Sequence, residues 1–69
     1  MLSDNLRLIR LYRRLTQKEL ANRLGVAQPT VWEWENNGRG PNEKRLDQLT
    51  KELNCTADQL LCDDLLAKI

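Results

Sequence analysis

The side chains of this sequence that could do chemistry are amides, carboxylates and indoles rather than nucleophiles or metal ligands. The chain of 69 residues has no histidine, one serine and only two cysteines, Cys55 and Cys62. A nucleophile with an adjacent base, or a metal site of three or four ligands, needs more than this set provides. We therefore predict neither an enzyme nor a metal protein, expect no cofactor, and interpret both cysteines as buried or half-buried hydrophobic residues.

Amide, indole and carboxylate groups share one side of a segment from about residue 28 to residue 36. At 3.6 residues per turn, Val31 and Trp34 fall on the side predicted to be buried. The opposite side carries Gln28, Pro29, Trp32, Glu33 and Asn36. A glutamine amide can bond adenine in a bidentate way, and a glutamate can accept a hydrogen bond from the amino group of cytosine. This exposed side therefore suits base edges, and it equally suits a solvated surface.

Two helices joined by a tight turn must position these groups. Residues 16–19 form a capping box (TQKE), in which Thr16 begins a helix and Glu19 reaches back to it. Gly25 is predicted to end that helix, because glycine adopts the left-handed conformation at the least cost. The next helix begins near Gln28. Two short helices joined in this way form the helix-turn-helix used to bind DNA.

The segment before this pair is a further amphipathic helix, predicted from about residue 3 to residue 14 with Ser3 as its cap. One apolar line at helical spacing is expected to face the core, and a second makes the helix more apolar than one buried stripe requires. The first line contains Leu2, Leu6 and Ile9, and the second contains Leu8, Leu11 and Leu15.

Two more helices are predicted after the turn-rich loop at residues 37–41. Asn42 caps the fourth helix, and Asn54 is expected to take the left-handed conformation at its end. Thr56 opens a fifth helix with a second capping box. The apolar positions of these two helices are Leu46, Leu49, Leu53, Leu60 and Leu61. The whole pattern predicts an all-α chain, a single compact domain of five short helices over residues 1–69.

Charge is distributed unevenly along the chain. Residues 1–45 contain nine basic and five acidic side chains, a net charge of +4, whereas residues 46–69 have two and five, a net charge of −3. A basic front half is compatible with a polyanionic partner and equally with ordinary solvated faces. No apolar run approaches the length of a membrane span, and the N-terminus lacks the apolar core of a signal peptide. We therefore expect a cytoplasmic protein without a membrane partner.

The run LTQKELANRLGVAQPTVWEWEN, followed by a glycine-rich turn, Pro41 and a leucine-striped helix, resembles the Cro and phage-repressor (Xre-like) helix-turn-helix family. The resemblance extends from about Leu6 to Leu61 and so covers most of the chain. It implies a lambda-repressor-like DNA-binding domain, a bundle of five short helices. It further implies a sequence-specific transcriptional regulator, a repressor of the Cro type that binds a palindromic operator in double-stranded DNA through the major groove as a homodimer. No small-molecule effector is expected.

The same resemblance implies roles for individual residues. Those expected to face the bases in the major groove are Gln28, Pro29, Trp32 and Glu33. Those expected to contact phosphates are Gln17, Lys18, Asn36 and Arg39. Arg10 and Glu35 occupy positions that form a partly buried ion pair between the first and third helices. Such a pair would also compensate for the burial of Glu35, because an unpaired carboxylate near the core would be strongly destabilising.

Three departures from the family pattern make this chain individual, and one of them is Asn37 in place of the usual glycine. Ala27 stands where a capping serine or threonine is usual. The third helix has neither lysine nor arginine. The cations that would neutralise phosphates must therefore come from Lys18, Arg39, Lys44, Arg45 or the first helix. Trp32 either contacts a thymine methyl group or a sugar, or folds back over a neighbouring helix. The weakly charged recognition helix keeps an alternative function open, a protein-interaction or antitoxin-like module with the same fold.

The C-terminal tail, residues 62–69, is a possible dimer contact. The apolar side chains near this end of the chain exceed what a core of this size needs, and such a surplus often marks an interface. They are Leu61, Leu65, Leu66 and Ile69. A symmetric dimer would place two third helices about one turn of DNA apart. The other possibility is a tail that wraps its own core.

Overall fold

A computed structural model describes residues 2–37 and 40–62, and these residues form five α-helices without a strand. The helices are α1 (Leu2–Tyr12), α2 (Gln17–Leu24), α3 (Gln28–Asn36), α4 (Glu43–Glu52) and α5 (Ala57–Leu61). The predicted all-α fold with a central helix-turn-helix is thereby confirmed. Helix α2 packs on α3 and α4, α1 packs on α3 and α5, and α4 also contacts α5.

A single apolar core lies between these helices. Its largest fully buried side chains come from every helix and from the residue that ends α4: Leu6, Val31, Leu20, Leu49, Leu53 and Leu60. Trp34 borders this core and is buried, as the helical wheel predicted. Full burial of a leucine contributes about 1.5–3 kcal/mol, so the core fixes how α2 and α3 stand against each other.

Three of the predicted helix starts are confirmed by their hydrogen bonds. The Thr16 hydroxyl accepts from the Glu19 backbone N–H at 3.0 Å, and the Glu19 carboxylate accepts from the Thr16 N–H at 3.0 Å. The Thr16 N–H bond stabilises the charged carboxylate and so lowers the pKa of Glu19. Thr56 forms the same kind of box, and Asn42 accepts from the Arg45 N–H at 2.9 Å.

Helix α3 begins without a side-chain cap, since Ala27 occupies the capping position and has no hydroxyl. We predict that Ala27→Ser raises the free energy of unfolding by about 1 kcal/mol, because the serine oxygen would accept from the backbone N–H of Thr30. Urea titration followed by circular dichroism measures the change. The matched control is Thr16→Ala, which should lose a similar amount. A destabilised Ala27→Ser protein would contradict this account of the helix start.

The loops that follow α1, α2 and α4 share one ending. In each, a residue with positive φ is followed by an apolar residue whose backbone N–H bonds five residues back, which is the Schellman motif. The positive-φ residues are Arg14 (φ 59°), Gly25 (φ 72°) and Asn54 (φ 50°). The apolar residues that follow are Leu15, Val26 and Cys55, and all of them pack in or against the core. The predicted endings at Gly25 and Asn54 are confirmed.

The predicted bounds of α1 are wrong at both ends. The helix already includes Leu2, so Ser3 lies inside its first turn and does not cap it. It ends at Tyr12 rather than Arg14, because Arg14 turns the chain in the left-handed conformation and thereby buries Leu15. The second apolar line also divides, with Leu15 buried but Leu8 and Leu11 exposed.

Asn5 is a buried polar residue that the sequence did not lead us to expect. Its amide donates to the Leu60 carbonyl at 2.9 Å and to the Cys62 carbonyl at 2.7 Å, and so holds the end of α5 against α1. Its position within the buried stripe, between Leu2 and Ile9, was the available signal. A buried amide has to find such partners, because an unmatched one costs about 1–3 kcal/mol.

Candidate nucleic-acid interface

The outer side of α3 is exposed, as the helical wheel predicted. Gln28, Pro29, Trp32 and Glu33 all lie at the surface, whereas Val31 and Trp34 are buried beneath them. Trp32 keeps 46% of its surface accessible, so its indole is only partly covered by the neighbouring chain. The four side chains expected to face the bases therefore share one open surface. The groups that this surface presents are the amide of Gln28, the carboxylate of Glu33 and the rings of Pro29 and Trp32.

An ion pair between Arg10 and Glu35 fixes α3 to α1. Arg10 donates to both carboxylate oxygens, from Nε to Oε2 at 2.7 Å and from Nη2 to Oε1 at 3.0 Å, and the side chains are 10% and 0% exposed. The remaining end of the guanidinium donates from Nη1 to the Leu15 carbonyl at 2.7 Å. A buried pair of this kind needs every polar atom satisfied, and this one is satisfied on both sides.

Gln17 connects this ion pair to the exposed surface of α3. Its Nε2 donates to Glu35 Oε1 at 3.1 Å, and its Oε1 accepts from Gln28 Nε2 at 2.7 Å. Gln17 and Gln28 line a shallow cleft beside Lys18, where the starts of α2 and α3 approach each other. Because Gln28 is held by this contact, its amide is oriented before any ligand arrives.

Asn36 lies at the other end of the exposed surface and is already bonded within the chain. Its Oδ1 accepts from Arg7 Nη2 at 2.8 Å, and its Nδ2 donates to the Trp32 carbonyl at 2.9 Å. Arg7 Nε also lies 3.8 Å from Glu35 Oε1. One amide proton of Asn36 and part of the Arg7 guanidinium are not used in these bonds. The contribution of Arg7 to this corner was not singled out from the sequence.

Several cations counted in the basic half of the chain serve the fold. Arg13 donates to the Leu53 and Asn54 carbonyls at 2.8 and 2.9 Å, at the end of α4. Arg45, which the sequence offered as a phosphate contact, donates from one nitrogen to the Leu24 carbonyl at 2.9 Å. Cations are favourable at the C-terminal end of a helix, because the last carbonyl groups are unpaired there and the helix dipole is negative. The exposed Lys18 lines the cleft beside Gln17 and Gln28.

The remaining site predictions divide between described and undescribed residues. Leu61 is 53% exposed, which leaves it available for a contact. Arg39, Leu65, Leu66 and Ile69 lie outside the described residues. Both cysteines are free thiols that pack partly against the core, and burial raises the pKa of the Cys55 thiol.

Residues 2–37 and 40–62 bring together no group of three potential metal ligands from histidine, cysteine, aspartate and glutamate. None of the helices in these two ranges has the length and apolarity required to cross a membrane.

Comparison with known proteins decides the family. A family model described as Helix-turn-helix (HTH_3) matches residues 6–60 of this chain. The chain belongs to the Cro/phage-repressor helix-turn-helix family. This helix-turn-helix protein is also 34% identical over 61 residues to a Bacillus subtilis (strain 168) protein named "Uncharacterized HTH-type transcriptional regulator YqaE". The alignment covers 88% of this chain and 53% of the relative, so the chain spans about half the length of the curated relative that it matches.

The family resemblance expected from about Leu6 to Leu61 is thus confirmed over nearly the same residues. The family is one of DNA-binding transcriptional regulators, in which the second helix of the motif enters the major groove. In this helix-turn-helix protein that second helix is α3, and its N-terminal residue is Gln28. The outer side of α3 is therefore the candidate nucleic-acid interface.

Proposed function

We propose that this helix-turn-helix protein is a sequence-specific transcriptional regulator, a repressor of the Cro type that binds a palindromic operator as a homodimer. The observation that carries the proposal is the placement of Gln28. It stands at the exposed start of α3 and is held by Gln17, which is itself held by the buried Glu35. Recognition helices contact base edges mainly with their N-terminal residues, and a glutamine amide matches the major-groove edge of adenine.

Phosphate contacts in this proposal come from both ends of the exposed surface. Gln17 and Lys18 would bond one strand beside the start of α2, and Asn36, with Arg39 in the following loop, would bond the other. Arg10, Arg13 and Arg45 are already committed inside the fold, and α3 itself carries neither lysine nor arginine. Affinity for DNA of arbitrary sequence should then be modest, and pairing of two copies would supply much of the strength for a palindromic site.

Selection from random double-stranded DNA, with the native chain and with Gln28→Ala in parallel, tests this function. The native chain should enrich an inverted repeat with half-site centres about one helical turn apart, roughly 34–36 Å. Gln28→Ala should relax the preference at one position in each half-site by about 1–3 kcal/mol. The control Lys18→Ala should weaken all sequences alike and make the salt dependence shallower.

The alternative function, a protein-interaction or antitoxin-like module, has one structural observation in its favour. Leu8, Leu11 and Tyr12 form an exposed line on α1, away from the apolar core. The same selection separates the two functions. If no sequence is enriched at any salt concentration, and a defined partner protein is bound instead, the DNA-binding proposal is wrong.

A further inference from the structure

The C-terminal end of α3 has no cation of its own. The last turn of this helix has no basic residue, and its carbonyl groups carry the negative end of the helix dipole. Glu33 and Glu35 add two carboxylates to the same half of the helix. A DNA strand that follows α3 would bring its phosphates toward this end, where the helix alone would repel them. The positive charge that such a strand needs therefore has to come from a neighbouring helix.

Arg7 of α1 brings a cation to this end. Its Nη2 donates to Asn36 Oδ1 at 2.8 Å, and its Nε lies 3.8 Å from Glu35 Oε1. Glu35 is the one acidic partner of Arg7 among the described residues, and Arg10 already donates to both of its carboxylate oxygens. These three charged side chains comprise two cations and one anion, so one positive charge is uncompensated. It is accessible at Arg7, because the side chain of Arg7 is 47% exposed and that of Arg10 only 10%.

Asn36 adds a second donor, and its amide has a fixed orientation. The Arg7 guanidinium has only donors, so the Asn36 oxygen faces it, while the Asn36 nitrogen donates to the Trp32 carbonyl at 2.9 Å. Both contacts require the same orientation of the amide. The groups left unused among the described residues are one N–H of Asn36 and most of the N–H groups of Arg7, all of them donors. A phosphate oxygen is negatively charged and only accepts, so it matches this corner in charge and in hydrogen bonding.

We propose that Arg7 and Asn36 form a phosphate-binding pair at the C-terminal end of α3, in which α1 supplies the cation that α3 lacks. This inference rests on the proposed function, because it assigns a further residue to the same interface. It extends that interface from the helix-turn-helix to the first helix of the chain. Arg7 contacts the DNA backbone directly and reads no base, so it strengthens binding to every sequence alike.

Arg7→Gln tests the charge, because glutamine removes it and keeps a polar side chain. Dissociation constants are measured for the selected operator and for a duplex of scrambled sequence, at salt concentrations between about 50 and 200 mM. The variant should bind both duplexes about tenfold or more weakly. The slope of log affinity against log salt should become shallower by about 0.9 for each bound copy. Arg7→Lys loses the planar guanidinium but keeps the charge, so it should retain the native slope.

Lys51→Gln is the matched control, because it also removes one positive charge. Lys51 is 75% exposed on α4, which packs on α2 and α5. Its substitution should leave the slope unchanged and both affinities within about twofold of the native values, because salt screens a distant exposed charge. Circular dichroism should show the same helix content in all variants, which separates lost binding from lost folding. Equal effects of Arg7→Gln and Lys51→Gln would mean that net charge alone is measured, and would overturn the inference.

Single methylphosphonate substitutions in the operator identify the contact, because each replaces one charged phosphate with a neutral group. At one position in each half-site the substitution should weaken the native chain and change the affinity of Arg7→Gln by less than about twofold, whereas at all others the two losses should add. Losses that add at every phosphate overturn the inference while the proposed function stands. If the native chain selects no operator, the proposed function fails, and the salt slopes on the scrambled duplex decide the inference. A native chain that binds no duplex overturns both.

Discussion

Arg10→Ala is expected to lower the free energy of unfolding by about 3–5 kcal/mol, because it leaves the Glu35 carboxylate buried without a partner. The loss includes the bond from Arg10 to the Leu15 carbonyl, which lies at the turn into α2. A domain of this size has a total stability of about 3–10 kcal/mol, so the variant should be marginally folded or unfolded at 25 °C. Urea titration followed by circular dichroism and tryptophan fluorescence measures the change.

The chain provides a matched control for this prediction in the exposed pair of Lys51 and Asp47. Their charged groups lie 3.1 Å apart, but the side chains are 75% and 66% exposed. Lys51→Ala should therefore change the stability by less than about 1 kcal/mol, because solvent screens such a pair. The double variant Arg10→Met with Glu35→Leu should recover most of the loss, since it removes both buried charges. Equal effects of Arg10→Ala and Lys51→Ala would contradict the assignment of a buried pair.

Leu20→Ala is expected to lower the free energy of unfolding by about 2–5 kcal/mol. Leu20 is fully buried in α2, between the capping box and the turn at Gly25, so its removal opens a cavity beneath the helix-turn-helix. The surrounding side chains are held on several helices and can relax only in part. The same urea titration measures the loss, and DNA affinity should fall with the folded fraction and without a change in base preference.

The control for Leu20→Ala is the same substitution at Leu11 in α1, which is 55% exposed. Leu11→Ala should alter the stability by no more than about 0.5 kcal/mol, because an exposed leucine contributes little burial and alanine favours a helix slightly more. If Leu11→Ala proved as damaging as Leu20→Ala, Leu11 would have to be covered in solution, which the described structure does not show.

Three of the helix starts could be predicted from the sequence because the signals for them are local. Thr16, Asn42 and Thr56 cap their helices through bonds that reach three residues along the chain, and spacing alone identifies them. Helix ends were predictable only where the residue type tolerates a positive φ, as at Gly25 and Asn54. Arg14 gave no such signal, because an arginine seldom adopts a positive φ, and here that conformation buries Leu15 next to it.

The candidate interface was predictable as a surface but not as a network. The helical wheel placed Gln28 and Trp32 outward because the period of a helix is fixed. The bonds that join Gln28 to Gln17 and then to Glu35 depend on the angle between α2 and α3 and on side-chain rotamers, which no short motif specifies. For the same reason the sequence assigned Arg45 to phosphates, although the packing of α4 on α2 brings it to the Leu24 carbonyl.

The exposed side of α3 contains three residues that, unlike Gln28, are not bonded to the rest of the described chain: Pro29, Trp32 and Glu33. This difference affects how easily the binding preference of such a protein can change. Within the described residues, their side chains make no hydrogen bond or ion pair with the rest of the chain, and all of them are exposed. Substitutions at these positions should therefore change the free energy of unfolding little, and they can be tolerated both in evolution and in a design library. New targets can be acquired there one residue at a time, whereas a change at Gln28 requires matching changes inside the protein.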